Sequence, residues 1–223
     1  MNEQPTQVIA ALWDVDGLLE CDIRDSLARR GATRLQVNIS DDIVRGAMRI
    51  THFERPIEAV VSVAGGEAEA VLDELRAIAG TIAAWEVVRR APLDPTLPTG
   101  ERIDALANIA FLRHPVELTY DQWRQRWLDD HTQVAIDTQA TFGYYQNIVS
   151  KALTDNALGV DAIVEELFPI AAVDDIHAFY GSGGDKRELN ERVTTMMASV
   201  ARIGADHNLD LVPTSRFDFP LGV

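Results

Sequence analysis

Trp123, Trp127 and His131 lie four residues apart in the stretch WRQRWLDDHTQVA. At that spacing three side chains stack on one face of a helix. Arg124, Gln125, Arg126, Asp129, Asp130 and Gln133 fall on the other side, which puts the imidazole on the buried stripe. A histidine in that position is either a core residue bonded to a backbone carbonyl or a proton carrier titrating near neutral pH. Proton transfer also needs a donor to hold a developing oxyanion. Tyr144 and Asn147, on the next segment, are the candidate donors. They stand an odd number of positions apart, so on a regular strand they face opposite ways.

Other chemistries find less support. No HxxxH, HxH or CxxC occurs, so no metal site is expected. GSGGD (Gly181 to Asp185) lacks the Lys-Ser or Lys-Thr ending of a phosphate loop and reads as a flexible connection. No G-x-S-x-G elbow supports a serine hydrolase. His177 and His207 read as surface residues, and His52 as a loop histidine or one facing inward from the first half.

The elements that must position these residues repeat. Gln7 to Val15 predicts a strand and Asp22 to Gly31 a short helix. Thr33 to Ser40 alternates as a half-buried strand, and Met48 to Gly65 is extended with a bend at Pro56. Glu67 to Gly80 predicts an amphipathic helix and Thr81 to Ala91 a closing strand. The proline-rich segment Ala91 to Asp104 reads as a linker. The order then recurs: strand Leu106 to His114, helix Leu118 to Thr138 behind a Thr119/Gln122 capping box, strands Thr141 to Leu153 and Val160 to Phe168, helices Val173 to Tyr180 and Leu189 to Gly204, strand Leu209 to Phe219. Even the opening strands match, VIAALW against NIAFLR.

Each half is a βαββαβ, ferredoxin-like unit: an antiparallel sheet with helices on one face. Its bare apolar face must be covered. The expected fold is therefore α+β, with tandem ferredoxin-like units closing face to face as an intramolecular α/β-barrel around a dry chamber. The expected units are residues 1–97, lacking the histidine motif, and 104–223, carrying it, with 91–104 as linker. His114 ends a strand of the second unit, where it is either a loop residue or part of a site at a barrel mouth.

The chain has 223 residues, 47% of them apolar, enough for a substantial core. A formal charge of −15 repels phosphate backbones and anionic lipid, which argues against nucleic-acid or membrane-surface binding. The single cysteine, Cys21, forbids an internal disulfide and is expected to be small and partly buried. The polar start MNEQPTQ has no signal-peptide pattern, and no apolar run reaches membrane length, so a cytoplasmic protein is expected.

The combination Trp123, Trp127, His131, then Tyr144, Gln146 and Asn147, then VDAIVEELF, resembles the EthD family of dimeric α/β-barrel proteins, named for ethyl tert-butyl ether degradation. The resemblance covers roughly Ala107 to Phe219; Trp123 stands where the family more often has Phe. On it His131 and Tyr144 are expected as catalytic residues, with Trp127, Asn147 and Trp123 binding substrate; His114 joins the substrate-binding set only as the strand-end histidine at the barrel mouth. The resemblance also implies the range of such barrels: accessory proteins of oxidative degradation, decarboxylases, dehydratases, isomerases, cofactor-free monooxygenases and haem enzymes. Fold alone does not choose among them.

The leading expectation is a cofactor-independent acid/base enzyme, lyase or isomerase in type, acting on a small hydrophobic or aromatic metabolite. The alternatives are a non-catalytic ligand-binding or accessory protein, and a haem or oxygen-using oxidoreductase. Exposed sheet edges and helices leave pairing into a homodimer open.

Overall fold

The computed structural model describes residues 7–157 and 159–222. The polar start, residues 1–6, lies outside them. No described helix is long and apolar enough to cross a membrane.

Eight antiparallel strands close into a barrel in the order β1-β3-β2-β8-β5-β7-β6-β4. The strands are β1 (Gln7–Val15), β2 (Ala32–Ile39), β3 (Ala59–Gly65), β4 (Ala79–Leu93), β5 (Ala105–Leu112), β6 (Gly143–Ala152), β7 (Ala162–Pro169) and β8 (Leu209–Pro220). The helices are α1 (Cys21–Arg29), α2 (Ala68–Arg76), α3 (Tyr120–Gln125), α4 (Thr132–Thr138), α5 (Ile176–Tyr180) and α6 (Lys186–Arg202). β4-β1-β3-β2 and β8-β5-β7-β6 are the two ferredoxin-like sheets, joined at the β2·β8 and β4·β6 seams. This is the expected tandem α/β-barrel.

Helices cover the outside of each sheet, so the strands are buried on both faces. On β1, Val8, Ala10 and Leu12 pack outward with Leu27, Leu72 and Leu75. Ile9, Ala11 and Trp13 point into the barrel. Such strands read as continuous apolar runs because neither face meets water.

Three boundaries differ from the sequence expectation. The second helix ends at Arg76 rather than Gly80, because Ala79 already pairs with Val15 of β1. Of the extended stretch from Met48, only Ala59–Gly65 is strand. The residues before it run across one barrel mouth, held by the Ile50 to Leu211 bridge. The linker is not free chain: β4 runs on to Leu93, and Gly100 and Ile103 bond the β8 carbonyls of Asp218 and Arg216. Cys21 is also corrected. It opens α1 and is exposed.

The expected dry chamber is filled. At one end Trp13, Trp85 and Phe111 meet around Phe53, with ring centroids 5.4–6.4 Å apart. At the other end the interior is polar. Glu165 accepts from Gln36 (2.9 Å), Asn38 (3.0 Å) and Arg216 (2.9 Å). Arg216 and Arg34 both bond Asp218. A cavity of only about 20 Å³ remains, lined by Ser62, Tyr145, Asn147 and Glu165 among others, room for little more than water.

Candidate functional site

The histidine stripe is built as the sequence indicates. Thr119 Oγ1 accepts from the Gln122 N–H, and the Gln122 side chain accepts from the Thr119 N–H. α3 then passes into a π-helical turn, Arg126–His131, before α4. That turn leaves the Trp127 carbonyl accepting from both the backbone N–H and the hydroxyl of Thr132. Gln146 reaches up from β6 to donate to the same hydroxyl, at 2.7 Å. Single π turns inside α-helices recur at functional sites. Trp123 and Trp127 stack with centroids 5.3 Å apart, and Trp123 Nε1 donates to the Ile203 carbonyl.

His131 does not face the barrel interior. The residue is 7% exposed and its Nδ1 lies 2.9 Å from Ser199 Oγ on α6. Burial without an acidic partner pushes its pKa down to about 4, so the imidazole is neutral at pH 7. Tyr144 also lies outside the barrel, under the helices with Trp123 and Trp127. Asn147 points the other way, into the barrel, where its amide donates to the Ile163 carbonyl at 3.0 Å. His114 is half-buried beside Tyr120 and Trp123, with Nδ1 2.8 Å from Asp161. So Trp123, Trp127, His131 and Tyr144 share one helix–sheet layer, His114 touches its aromatic end, and Asn147 is excluded. Of the other histidines, His52 and His207 are exposed and His177 is half-buried, 2.6 Å from Ser182.

Register adds the residue that pattern reading missed. Tyr144 on β6 pairs with Glu166 on β7, and Glu166 pairs with Asn108 on β5. The row of three crosses the sheet beneath the helices, beside the apolar clusters of that layer. Four buried atoms in this layer have no partner, Glu166 Oε1, Asn108 Oδ1, Gln139 Oε1 and Gln146 Oε1, while the Trp127 indole N–H faces the Tyr144 hydroxyl. Buried polar groups are normally paired, and each unpaired one costs about 1–3 kcal/mol.

Burial raises the Glu166 pKa to about 8. Protein surrounds the carboxyl on all sides, yet the residue keeps some accessible surface. Burial also raises the Tyr144 phenol well above its ordinary value, and the Glu166 carboxylate adds to the shift. Tyr144 is therefore a fixed O–H. Tyr180 of α5 feels the same carboxylate. α5 is tied over this region: Arg192 donates to the Tyr180 and Asp137 carbonyls, and the Ala140 N–H to the Phe179 carbonyl.

The site thus holds a carboxylic acid that changes charge close to neutral pH, a phenol, an indole N–H and a neutral imidazole at its edge. Within this layer Glu166 is the side chain whose pKa burial brings near neutrality, whereas that of His131 is pushed well below it. The Glu-Glu pair in VDAIVEELF was a usable signal: in a strand apolar on both sides, both carboxylates must be buried, one per face. Among the described residues no group of three His, Cys, Asp or Glu is placed to hold a metal ion.

No protein-family model and no curated protein matches the sequence. Solved structures do match in fold. An anthrone oxidase-like protein superposes with a TM-score of 0.61 at 9% identity, over 100% of this chain and 95% of its own. A "putative monooxygenase" from Fusobacterium nucleatum subsp. nucleatum ATCC 25586 gives 0.51 at 10% identity, over 97% and 94%. Another from Lactobacillus acidophilus NCFM gives 0.50 at 9% identity, over 99% and 98%. With the closed eight-stranded barrel, these likenesses establish that the chain has the dimeric α/β-barrel fold.

Proposed function

We propose that the protein is a cofactor-independent, oxygen-using oxidoreductase acting on a small aromatic substrate in the layer between the α3–α6 helices and the β5-β7-β6 sheet. The observation that carries this reading is Glu166, a buried carboxyl with a pKa of about 8 set directly opposite Tyr144. A lyase or isomerase could use the same group. The fold relatives named for oxidase and monooxygenase activity favour the oxygen-using alternative. The likeness of the helix motif to EthD proteins is compatible with it.

In this reading Glu166 takes a proton from a C–H made acidic by a neighbouring phenol or ketone. The Tyr144 O–H and Trp127 N–H hold the oxygen on which negative charge develops. Such donors act strongly where water is excluded. The substrate carbanion supplies the electrons to dioxygen. The balance is an activated CH₂ plus O₂ giving C=O plus H₂O, with no further reductant. Haem is not part of the proposal.

The test is oxygen consumption with anthrone as probe, in chelator-treated protein without added cofactor. Turnover should rise as Glu166 ionises and fall about 10²-fold or more in Glu166→Gln, the usual contribution of a positioned general base. Equal rates in the variant, with folding intact by circular dichroism, would sink the assignment.

A further inference from the structure

The open barrel mouth carries a second site, separate from the helix–sheet layer. A cleft of about 410 Å³ lies there, lined by Trp13, His52, Phe53, Arg55, Arg113 and Asn156 among others. Its aromatic wall is Trp13 edge-on to Phe53, centroids 5.4 Å apart, with Trp85 and Phe111 behind. Arg113 lies with its guanidinium 5.2 Å from the Phe53 ring centre. One arm of that guanidinium, Nη2, pairs with Asp210 at 2.9 Å. Asp210 also accepts the backbone N–H groups of His52 and Phe53, which fixes the loop over the mouth. The other arm, Nη1, is buried and has no partner.

An unpartnered guanidinium nitrogen beneath an aromatic wall is matched to one ligand chemistry. We propose that this cleft binds a small aromatic carboxylate, its ring against Trp13 and Phe53 and its carboxylate on Arg113 Nη1 and the Asn156 amide. Three observations converge. The volume lies in the range of small-molecule sites. The arginine is held in place from its other side, so its orientation costs nothing further on binding. The cleft also brings two arginines, Arg113 and Arg55, against one acidic lining residue, Glu54, on a chain whose net charge is −15. Arg55 is paired bidentately with Asp14, which leaves Arg113 as the anion-holding group. Phe53, whose ring lies over the Arg113 guanidinium, is only half-buried, and binding requires that ring to shift to admit a carboxylate to Nη1.

This site does not depend on the oxidoreductase reading. It stands at the Leu112 end of β5, whereas Asn108 of the helix–sheet row lies four residues earlier and on the outer face. The test is calorimetric titration of the full chain with sodium benzoate and with benzamide, its neutral isostere. Benzoate should bind one to one and at least about tenfold more tightly than benzamide. Asn156→Leu, at an exposed position, should weaken benzoate several-fold and leave benzamide nearly unchanged. Arg113→Met with Asp210→Asn, which removes both charges together, should abolish the preference for benzoate. Glu166→Gln should change neither affinity. Equal affinities for the two probes, no saturable heat at millimolar benzoate, or undiminished benzoate binding in Asn156→Leu would overturn the proposal. So would loss of benzoate binding in Glu166→Gln alone, which would place the ligand under the helices.

Discussion

Tyr144 and Glu166 stand opposite each other on neighbouring antiparallel strands, on the outer face that the helices bury. One is a phenol that keeps its proton and the other a carboxylic acid with a pKa of about 8. The pairing puts a charge-changing carboxyl beneath the helices, where desolvation disfavours its ionised form.

Glu166 should make the protein less stable in alkali. Its pKa is near 4.5 in an unfolded chain and about 8 in the fold. Between those values the folded state binds more protons, so stability declines as pH rises through that window. The loss is on the order of a few kcal/mol. Glu166→Gln should flatten this limb, so that urea midpoints at pH 5 and pH 9 converge. A wild-type midpoint that does not fall between those pH values would mean the carboxyl is not buried.

His131 should act in the opposite direction. Burial lowers its pKa from 6.5 to about 4, so the unfolded state binds more protons between those values. Its contribution is fully present above about pH 6.5 and is lost as pH falls toward 4. His131→Gln keeps a hydrogen-bonding group for Ser199 and should remove this acid limb. An NMR titration should show the imidazole still neutral at pH 5.5; a protonated ring at that pH would contradict the buried placement.

Glu165 and Arg216 are 5% and 2% exposed at their side chains, and the carboxylate also takes Gln36 and Asn38 from the other half of the barrel. Removing one charge strands the other. Glu165→Ala should therefore cost about 3–5 kcal/mol by chemical denaturation. Glu165→Leu with Arg216→Met should recover much of that, since a packed apolar pair replaces two desolvated ions. A double variant as unstable as the single one would show that the loss comes from the amide partners rather than the stranded guanidinium.

Much of the frame was local and so readable. Ile23 and Leu27, or Val71, Leu72 and Leu75, mark buried helix faces by spacing alone. The Thr119/Gln122 cap, the stacking of Trp123 on Trp127, and the opposed faces of Tyr144 and Asn147 follow from periodicities of 3.6 and 2. The repeated element order was enough to predict two sheets closing on each other.

What the sequence by itself determined was therefore the set of elements, their repetition and the sidedness of each. Only the tertiary structure decided what covers each side. Tyr144 and Tyr145 are both buried, at 1% and 2% exposure, so nothing in their alternation says which one faces the helices. The same ambiguity hid Glu166 behind Glu165: one ties the two halves together inside the barrel, the other titrates beneath α5. His131 was placed on the right helix face, but that face meets Ser199 rather than the barrel interior. Burial on both faces erases the polar–apolar contrast from which inside and outside are read, and only cross-strand register and helix packing restore it.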